Sequence, residues 1–352
     1  MRKFLILLVM ACVQVGFGQP NPDTLWTRTY GGSSGEDARS VQRTAEGGYV
    51  VAGYTYSFGA GESDFYLVKI NSQGDTLWTR TYGGSSYESA YSVQQTEDGG
   101  YIVAGSTRSF GAGGEDFYLV KTSSSGDTLW TRTFGGSSQD VAHSVQQTAD
   151  GGYIVAGYTE SFGAGSRDMY LVKTNSQGDT LWTRTYGGSS TDVARSVQQT
   201  TDGGYIMAGY TESFGAGWRD FYLVKTNGQG DTLWTRTYGG SSEDWAASSQ
   251  QTPDGGYIVA GYTNSFGAGS SDFYLVKTGP EEPWGLVIST IAGNVVLDWL
   301  PQGGASSYNI YGATLPFVAG VLLDVTSNTT WTDINTSSRP SPYFYYVTAV
   351  AP

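Results

Sequence analysis

The sequence is short of the side chains that usually carry chemistry. One cysteine and one histidine in 352 residues exclude a disulfide framework and a multi-histidine metal site. Basic residues are scarce, 19 against 32 acids for a net charge of −13. That balance argues against nucleic acid, whose binding rests on lysine and arginine neutralising phosphates. Charged residues reach only 14%, where about a quarter is usual. No segment repeats apolar residues at helical spacing, so no helices are expected. A Gly-x-Ser-x-Gly elbow, a His-Glu-x-x-His pair and a Gly-Lys-Ser phosphate loop are all missing, so no catalytic residues, metal or cofactor are assigned. What the chain does have is 51 glycines, 26 tyrosines and 10 tryptophans. Such aromatic richness argues against disorder.

The first 18 residues read as a secretory signal. Arg2 and Lys3 precede an apolar run from Phe4 to Val13, and Gly16-Phe17-Gly18 supplies small residues before Gln19. The run is shorter than the roughly 20 residues a bilayer span needs. Val9-Met10-Ala11-Cys12 loosely resembles a bacterial lipobox. Ordinary cleavage is the preferred reading, because Met10 fits that motif poorly. The expected address is extracellular or on the cell envelope, with no membrane span.

Trp26, Trp78, Trp130, Trp182 and Trp234 stand 52 residues apart. Around each the text repeats: DTLWTRTYGGSS, a variable stretch, SVQQT, DGGYIVAGYT, SFGAG and DFYLVKT. Five such units cover residues 23–282, a period characteristic of propellers, solenoids and arrays. Each unit parses into four short strands bounded by glycine-rich turns: SVQQT, GYIVAGYT, DFYLVKT and TLWTRTYG. The Asp-Gly-Gly element predicts a tight turn with positive φ, and Asn175-Ser176-Gln177-Gly178 a second one. Four antiparallel strands per repeat make a propeller blade. The first segment, Thr24–Gly31, is a fourth strand, and the last repeat supplies only strands one to three. The expectation is therefore an all-β, five-bladed propeller over residues 23–279, closed by pairing the N-terminal strand with Phe273–Thr278.

The units resemble bacterial surface propeller repeats that carry a tryptophan, Tyr-Gly-Gly, Asp-Gly-Gly-Tyr, Val-Ala-Gly and Leu-Val-Lys. That resemblance implies a secreted or envelope-attached protein. Gly178-Asp179-Thr180-Leu181-Trp182 also resembles the docking motif of quinoprotein propellers, but nothing in the sequence indicates a cofactor pocket to go with it.

Residues 280–284, Pro-Glu-Glu-Pro-Trp, read as a stiff linker. Beyond it come Val295–Trp299, Ser307–Tyr311, Thr329–Asp333 and Tyr343–Val350. This order resembles a fibronectin type III domain over residues 285–352. The resemblance implies that Trp299, Tyr308 and Tyr345 are sandwich core residues, and the pattern stops one strand short.

Repeated acids are read as loop caps. One set is Glu36, Glu88, Asp140, Asp192 and Asp244; the other is Asp64, Asp116, Asp168, Asp220 and Asp272. His143 replaces Arg39, Tyr91, Arg195 and Ala247 of the other copies and is read as surface variation. Trp182, Arg184 and Tyr186 alternate on one strand face, where the guanidinium can stack on the rings. The repeat tryptophans are expected to be buried, each worth about 3–5 kcal/mol on truncation.

Variable positions gather in two connections, strand four to one and strand two to three, which an up-down sheet places on one rim. Loops on a rigid scaffold are where function concentrates. Trp218, Arg219, Trp245, Arg167 and Tyr87 are the candidate contact residues, for a glycan or an extracellular protein. The alternative is a carbohydrate-active enzyme or its accessory module, for which Glu160 and Glu212 are the candidate carboxylates.

Overall fold

The computed structural model describes residues 23–280, 287–291, 294–299, 307–313, 321–328, 330–333 and 344–350. The proposed signal, with Cys12, and most of the linker lie outside these residues.

Every described element is a strand. The first sheet contains β1 (Glu36–Arg43), β2 (Tyr49–Thr55), β3 (Asp64–Ile70) and β4 (Thr76–Tyr82). The second contains β5 (Glu88–Gln95), β6 (Tyr101–Thr107), β7 (Asp116–Thr122) and β8 (Thr128–Phe134). The third contains β9 (Asp140–Gln147), β10 (Tyr153–Thr159), β11 (Asp168–Thr174) and β12 (Thr180–Tyr186). The fourth contains β13 (Asp192–Gln199), β14 (Tyr205–Thr211), β15 (Asp220–Thr226) and β16 (Thr232–Tyr238). The fifth has only β17 (Asp244–Gln251), β18 (Tyr257–Thr263) and β19 (Asp272–Lys277). Each is an antiparallel meander in chain order.

Two turns set the register. In the third sheet Asp150 Oδ1 accepts from Thr148 Oγ1 at 2.5 Å and from Gly152 N at 3.0 Å. Gly151 adopts φ +78, and a Cβ on Gly152 would lie 2.1 Å from the Thr174 carbonyl oxygen. The Asp-Gly-Gly text is thus fixed by conformation at one glycine and by space at the next. At the other hairpin, Asn175 Oδ1 accepts from Gln177 N and Asp179 N, both at 2.9 Å, an Asx turn.

Neighbouring sheets bury one another. Ile154, Ala156, Met169 and Leu171 of the third sheet meet Ala194, Val197, Tyr205, Met207, Tyr222 and Val224 of the fourth, all at most 6% exposed. The central strands β10, β11, β14 and β15 are buried along their whole length, so they are apolar on both faces. First strands of successive sheets also touch through side-chain to backbone hydrogen bonds. Val197 N donates to Ser144 Oγ at 3.2 Å, Gln199 N to Gln146 Oε1 at 2.6 Å, and Ala149 N to Gln199 Oε1 at 2.9 Å. The Ser-Val-Gln-Gln text therefore joins sheets as well as building a strand.

A lysine lies inside this apolar stack. Lys121, Lys173 and Lys225 are at most 3% exposed, and each reaches the aspartate of its own Asp-Gly-Gly turn at 2.7 to 2.9 Å. The repeat tryptophans are only partly buried, lying over the next sheet's tyrosine with ring centroids 5.7 to 5.9 Å apart. They are lids at the sheet margin rather than core, which corrects the expectation of full burial. The predicted arginine stacking is present, with Arg184 5.7 Å from the Trp182 ring. The same arginine also reaches Asp231 of the next sheet at 3.5 Å.

The expected closure is not made. Residues 24–31 lie in no strand, and β19 is the edge of a three-stranded sheet. Phe273 is 97% exposed, where its counterpart Phe221 is 0%. The physical reason is that the fifth sheet does not come round to the first, with no pair of their strands in substantial contact among the described residues, although residues 24–31 dock on the first sheet as a fourth strand would. Trp26 packs on Tyr49 and donates to Ser72 O, and Tyr30 donates to Gly74 O at 2.7 Å.

Beyond the repeats, β20 (Val287–Ile291), β21 (Asn294–Asp298) and β24 (Thr330–Asp333) form one sheet. A second has β22 (Ser307–Ala313) between β23 (Val321–Thr326) and β25 (Phe344–Val350). Trp299 and Tyr308 are buried with rings 5.3 Å apart, and Leu297, Ile310 and Val347 complete that core. Tyr345 is partly buried against it and donates to Asp333 at 2.7 Å.

Candidate binding surface

The first and second strands of each sheet contain a β-bulge. In the first sheet Ala38 opposes Gly53 and Ser40 opposes Ala52, so Arg39 is left outside the ladder. Tyr91, His143, Arg195 and Ala247 occupy the same bulged position. A bulge re-aims the side chain it frees, and here it builds a column across the sheets. The Tyr91 and His143 rings meet edge to face at 5.1 Å. Arg195 Nη1 reaches His143 Nε2 at 3.1 Å, and the Arg195 guanidinium stacks 4.7 Å from the Trp245 ring centroid.

This corrects the reading of His143 as surface variation. Burial, then the positive charges of Arg195 and Arg167, hold its pKa well below the usual histidine value. It is therefore neutral and accepts from Arg195. Burial likewise lowers the pKa of Arg195. Among the described residues Arg195 has no carboxylate partner, and its Nε is buried without a hydrogen bond.

Three of the rim candidates, Trp218, Arg219 and Trp245, converge beside this column. A bridge pairs Arg219 with Glu243, and others pair Arg167 with Thr191 and Ser63 with Tyr87. These bridges place the two variable connections side by side. Arg219 is the hub. It stacks 5.0 Å from the Trp218 ring, 5.0 Å from Tyr210 and 5.8 Å from Trp245. It donates to Glu212 at 2.7 Å and to Glu243 at 2.5 Å. Burial opposes its charge, but these two carboxylates outweigh that and raise its pKa. Tyr210 and Trp245 lie 4.8 Å apart. Trp218 caps the group and is 65% exposed.

Arg167 repeats the arrangement one sheet earlier, 4.5 Å over Tyr158 and 2.8 Å from Glu160. Tyr87 stands apart from the Trp218 cluster, two sheets away, with Arg108 over its ring at 5.7 Å. The structure thus places Trp218, Arg219 and Trp245 together and Arg167 one sheet away, and adds Arg195, Tyr210 and Tyr158 beside them, which the sequence reading did not put forward as contact residues. The one available signal was that residue 195 differs from copy to copy.

Glu160 and Glu212 are each held in an ion pair with arginine. The repeated acids cap loops. Gly84, Gly136, Gly188 and Gly240 donate their amides to Glu88, Asp140, Asp192 and Asp244 at 2.7 to 2.8 Å. Glu36 accepts from Gly32 N at 3.2 Å. Asp64, Asp116, Asp220 and Asp272 accept the amides of Ala60, Ala112, Ala216 and Ala268 at 2.9 to 3.0 Å, and Asp168 that of Gly165 at 2.8 Å. Among the described residues no three His, Cys, Asp or Glu side chains converge on a metal-sized site.

Residues 47–76 and 252–280 match the family described as a domain of unknown function (DUF5122) beta-propeller. With the repeated four-stranded sheets, this match supports a β-propeller repeat architecture. Over 189 residues the chain is 27% identical to the Regulatory protein FlaEY of Caulobacter vibrioides, an alignment covering 47% of this chain and 20% of that protein. The chain thus spans about a fifth of that relative's length. Among solved structures, PorZ, described as a bacterial surface component of the type-IX secretion system of Porphyromonas gingivalis, aligns at TM-score 0.40 and 11% identity. That alignment covers 88% of this chain and 42% of PorZ. The Neurospora crassa Pan2 WD40 domain aligns at TM-score 0.39 and 8% identity, covering 74% and 86%. A bifunctional GH43-CE protein of Bacteroides eggerthii aligns at 0.34 and 15%, covering 83% and 36%.

Proposed function

We propose that the cluster of Trp218, Arg219 and Trp245 is a recognition surface for a glycan or an extracellular protein. On this reading the protein is a secreted or cell-surface, non-catalytic binding module. One observation carries it: the copies diverge where an exposed tryptophan is stacked on an arginine already fixed by two carboxylates. Aromatic and arginine anchors with little rotamer freedom left to lose are typical of binding hot spots. Tyr87 and Arg167 extend the same rim. Export rests on the basic and apolar start of the sequence. Residues 23–279 act as five blade units that present the rim. Residues 285–352 are a fibronectin type III-like module, supported by two sheets ordered β20-β21-β24 and β23-β22-β25 around Trp299.

The test is a glycan array, with a general glycosidase assay on the same protein. Binding without turnover, lost in Trp218→Ala at unchanged melting temperature, is the expected result. Hydrolysis that disappears in Glu160→Gln or Glu212→Gln overturns the reading in favour of a carbohydrate-active enzyme.

A further inference from the structure

Residues 24–31 occupy the place of a fourth strand but pair with no sheet among the described residues. In two internal junctions, strand four of one sheet docks on the next sheet through three contacts. Tyr186 OH donates to Gly230 O at 2.6 Å, Arg184 pairs with Asp231, and Trp182 packs on Tyr205. Tyr82, Arg80 and Trp78 do the same to Gly126, Asp127 and Tyr101. The second-to-third junction, where Phe134 replaces the tyrosine, keeps the Arg132–Asp179 pair and Trp130 on Tyr153, and the fourth-to-fifth keeps Trp234 on Tyr257. Tyr30, Arg28 and Trp26 make all three contacts with Gly74, Asp75 and Tyr49 of the first sheet. The segment is therefore positioned as strand four of a preceding sheet whose strands one to three are absent among the described residues.

The fifth sheet has the converse vacancy. Strands one to three are present, and the free edge is β19. Its outer face is also bare. Phe273 is 97% and Leu275 65% exposed, where Phe221 and Leu223 are 0% under the fifth sheet. The first sheet is bare in the complementary way. Val41 is 67% exposed, where Val93, Val145 and Val197 are 6%. Among the described residues, no pair of strands from these two sheets is in substantial contact.

We infer that these two ends join between copies of the chain, head to tail, with the occupant of the β19 edge being residues 24–31 of a second molecule. The internal interface, made four times over, specifies the fit. In the fourth sheet Phe221 opposes Tyr238, Leu223 opposes Arg236, Val224 opposes Thr235 and Lys225 opposes Trp234. Moving each partner by whole 52-residue periods gives the intermolecular register. Phe273 opposes Tyr30, Leu275 opposes Arg28, Val276 opposes Thr27 and Lys277 opposes Trp26. The paired edge and the covered Phe273–Leu275 face form in one step, which removes the exposed edge. Such a contact is heterologous, so repetition gives a closed ring or a growing filament according to the rotation per molecule.

The experiment combines sedimentation and disulfide capture on the full chain. The wild-type sedimentation coefficient should rise with concentration, and Phe273→Glu should hold the monomer value. Phe273 is exposed in the open monomer, so the dilute variant should melt with the wild type. On a Cys12→Ser background, mixing Thr27→Cys with Val276→Cys should give a disulfide-linked heterodimer in excess over either homodimer. Opposed strand residues lie within the Cα separation a disulfide spans. A wild-type monomer at all concentrations overturns the inference, as does failure of the mixed pair to cross-link. So does a double-cysteine variant that links only within one chain, together with a Phe273→Glu variant that melts lower even when dilute; those two results would show that the ring closes on itself.

Discussion

Lys225 has a side chain with no solvent exposure and reaches Asp202 Oδ2 across 2.7 Å, although Asp202 itself is 42% exposed. The lysine follows the apolar run Phe221-Tyr222-Leu223-Val224 in a strand that is buried throughout. It also donates to the Thr226 carbonyl at 3.0 Å. A buried ammonium is tolerated only when paired and hydrogen-bonded. Asp202→Ala strands that charge and should destabilise the protein by about 1–3 kcal/mol, less than for a fully buried pair because the carboxylate is half in water. Lys225→Met removes the charge and keeps the volume, so it should cost less than Asp202→Ala. Urea unfolding of the two variants checks the order.

The same turns predict an acid limit. Burial alone would raise the carboxyl pKa values of Asp98, Asp150 and Asp254. Hydrogen bonds from the lysine, the threonine and the second glycine outweigh it and hold all three at about 2. A lowered folded-state pKa gives stability that is complete above the unfolded value near 3.8 and is lost as the pH falls toward 2. Asp64, Asp116 and Asp168 shift the other way, chiefly by burial. Their charged forms cost stability, and protonation relieves that cost as the pH falls through their raised values. The melting temperature should therefore hold or rise on mild acidification and then drop steeply below about pH 4. In Asp116→Asn the initial rise should shrink while the steep loss remains. Calorimetry across the acid range reads both limbs.

Trp130 is partly buried over Tyr153, 5.7 Å between centroids. Truncation to alanine should cost about 1–3 kcal/mol, below the range for a fully buried indole. Its ring also lies against Gly178, where a Cβ would fall 2.8 Å from it, so the loss should loosen that hairpin. A lower melting temperature together with faster amide exchange near Gly178 is the expected outcome.

Much of the scaffold was legible because its signals are local. The 52-residue period, the four strands and the Asp-Gly-Gly turn follow from strand composition and from glycine conformations. The loop-capping role of Asp140 and its equivalents follows from short acids placed four residues after a turn amide. The position of His143 was not legible, because a bulge depends on which residue of β10 faces which residue of β9. Nothing in Val-Ala-His-Ser-Val marks the one that drops out of register. Lys173 was hidden for a related reason: in a strand buried on both faces, alternation no longer tells inside from outside. Closure failed as an expectation because matching ends in a sequence carry no information about the rotation accumulated between them.

Since the junctions between sheets share most of their residues, outside the bulged column and Phe134, deleting one 52-residue period would bring together two surfaces that largely complement each other, and duplicating one would do likewise. Unequal recombination in the gene could then lengthen or shorten the array without creating a misfit seam, leaving selection to act on the bulged and rim positions alone.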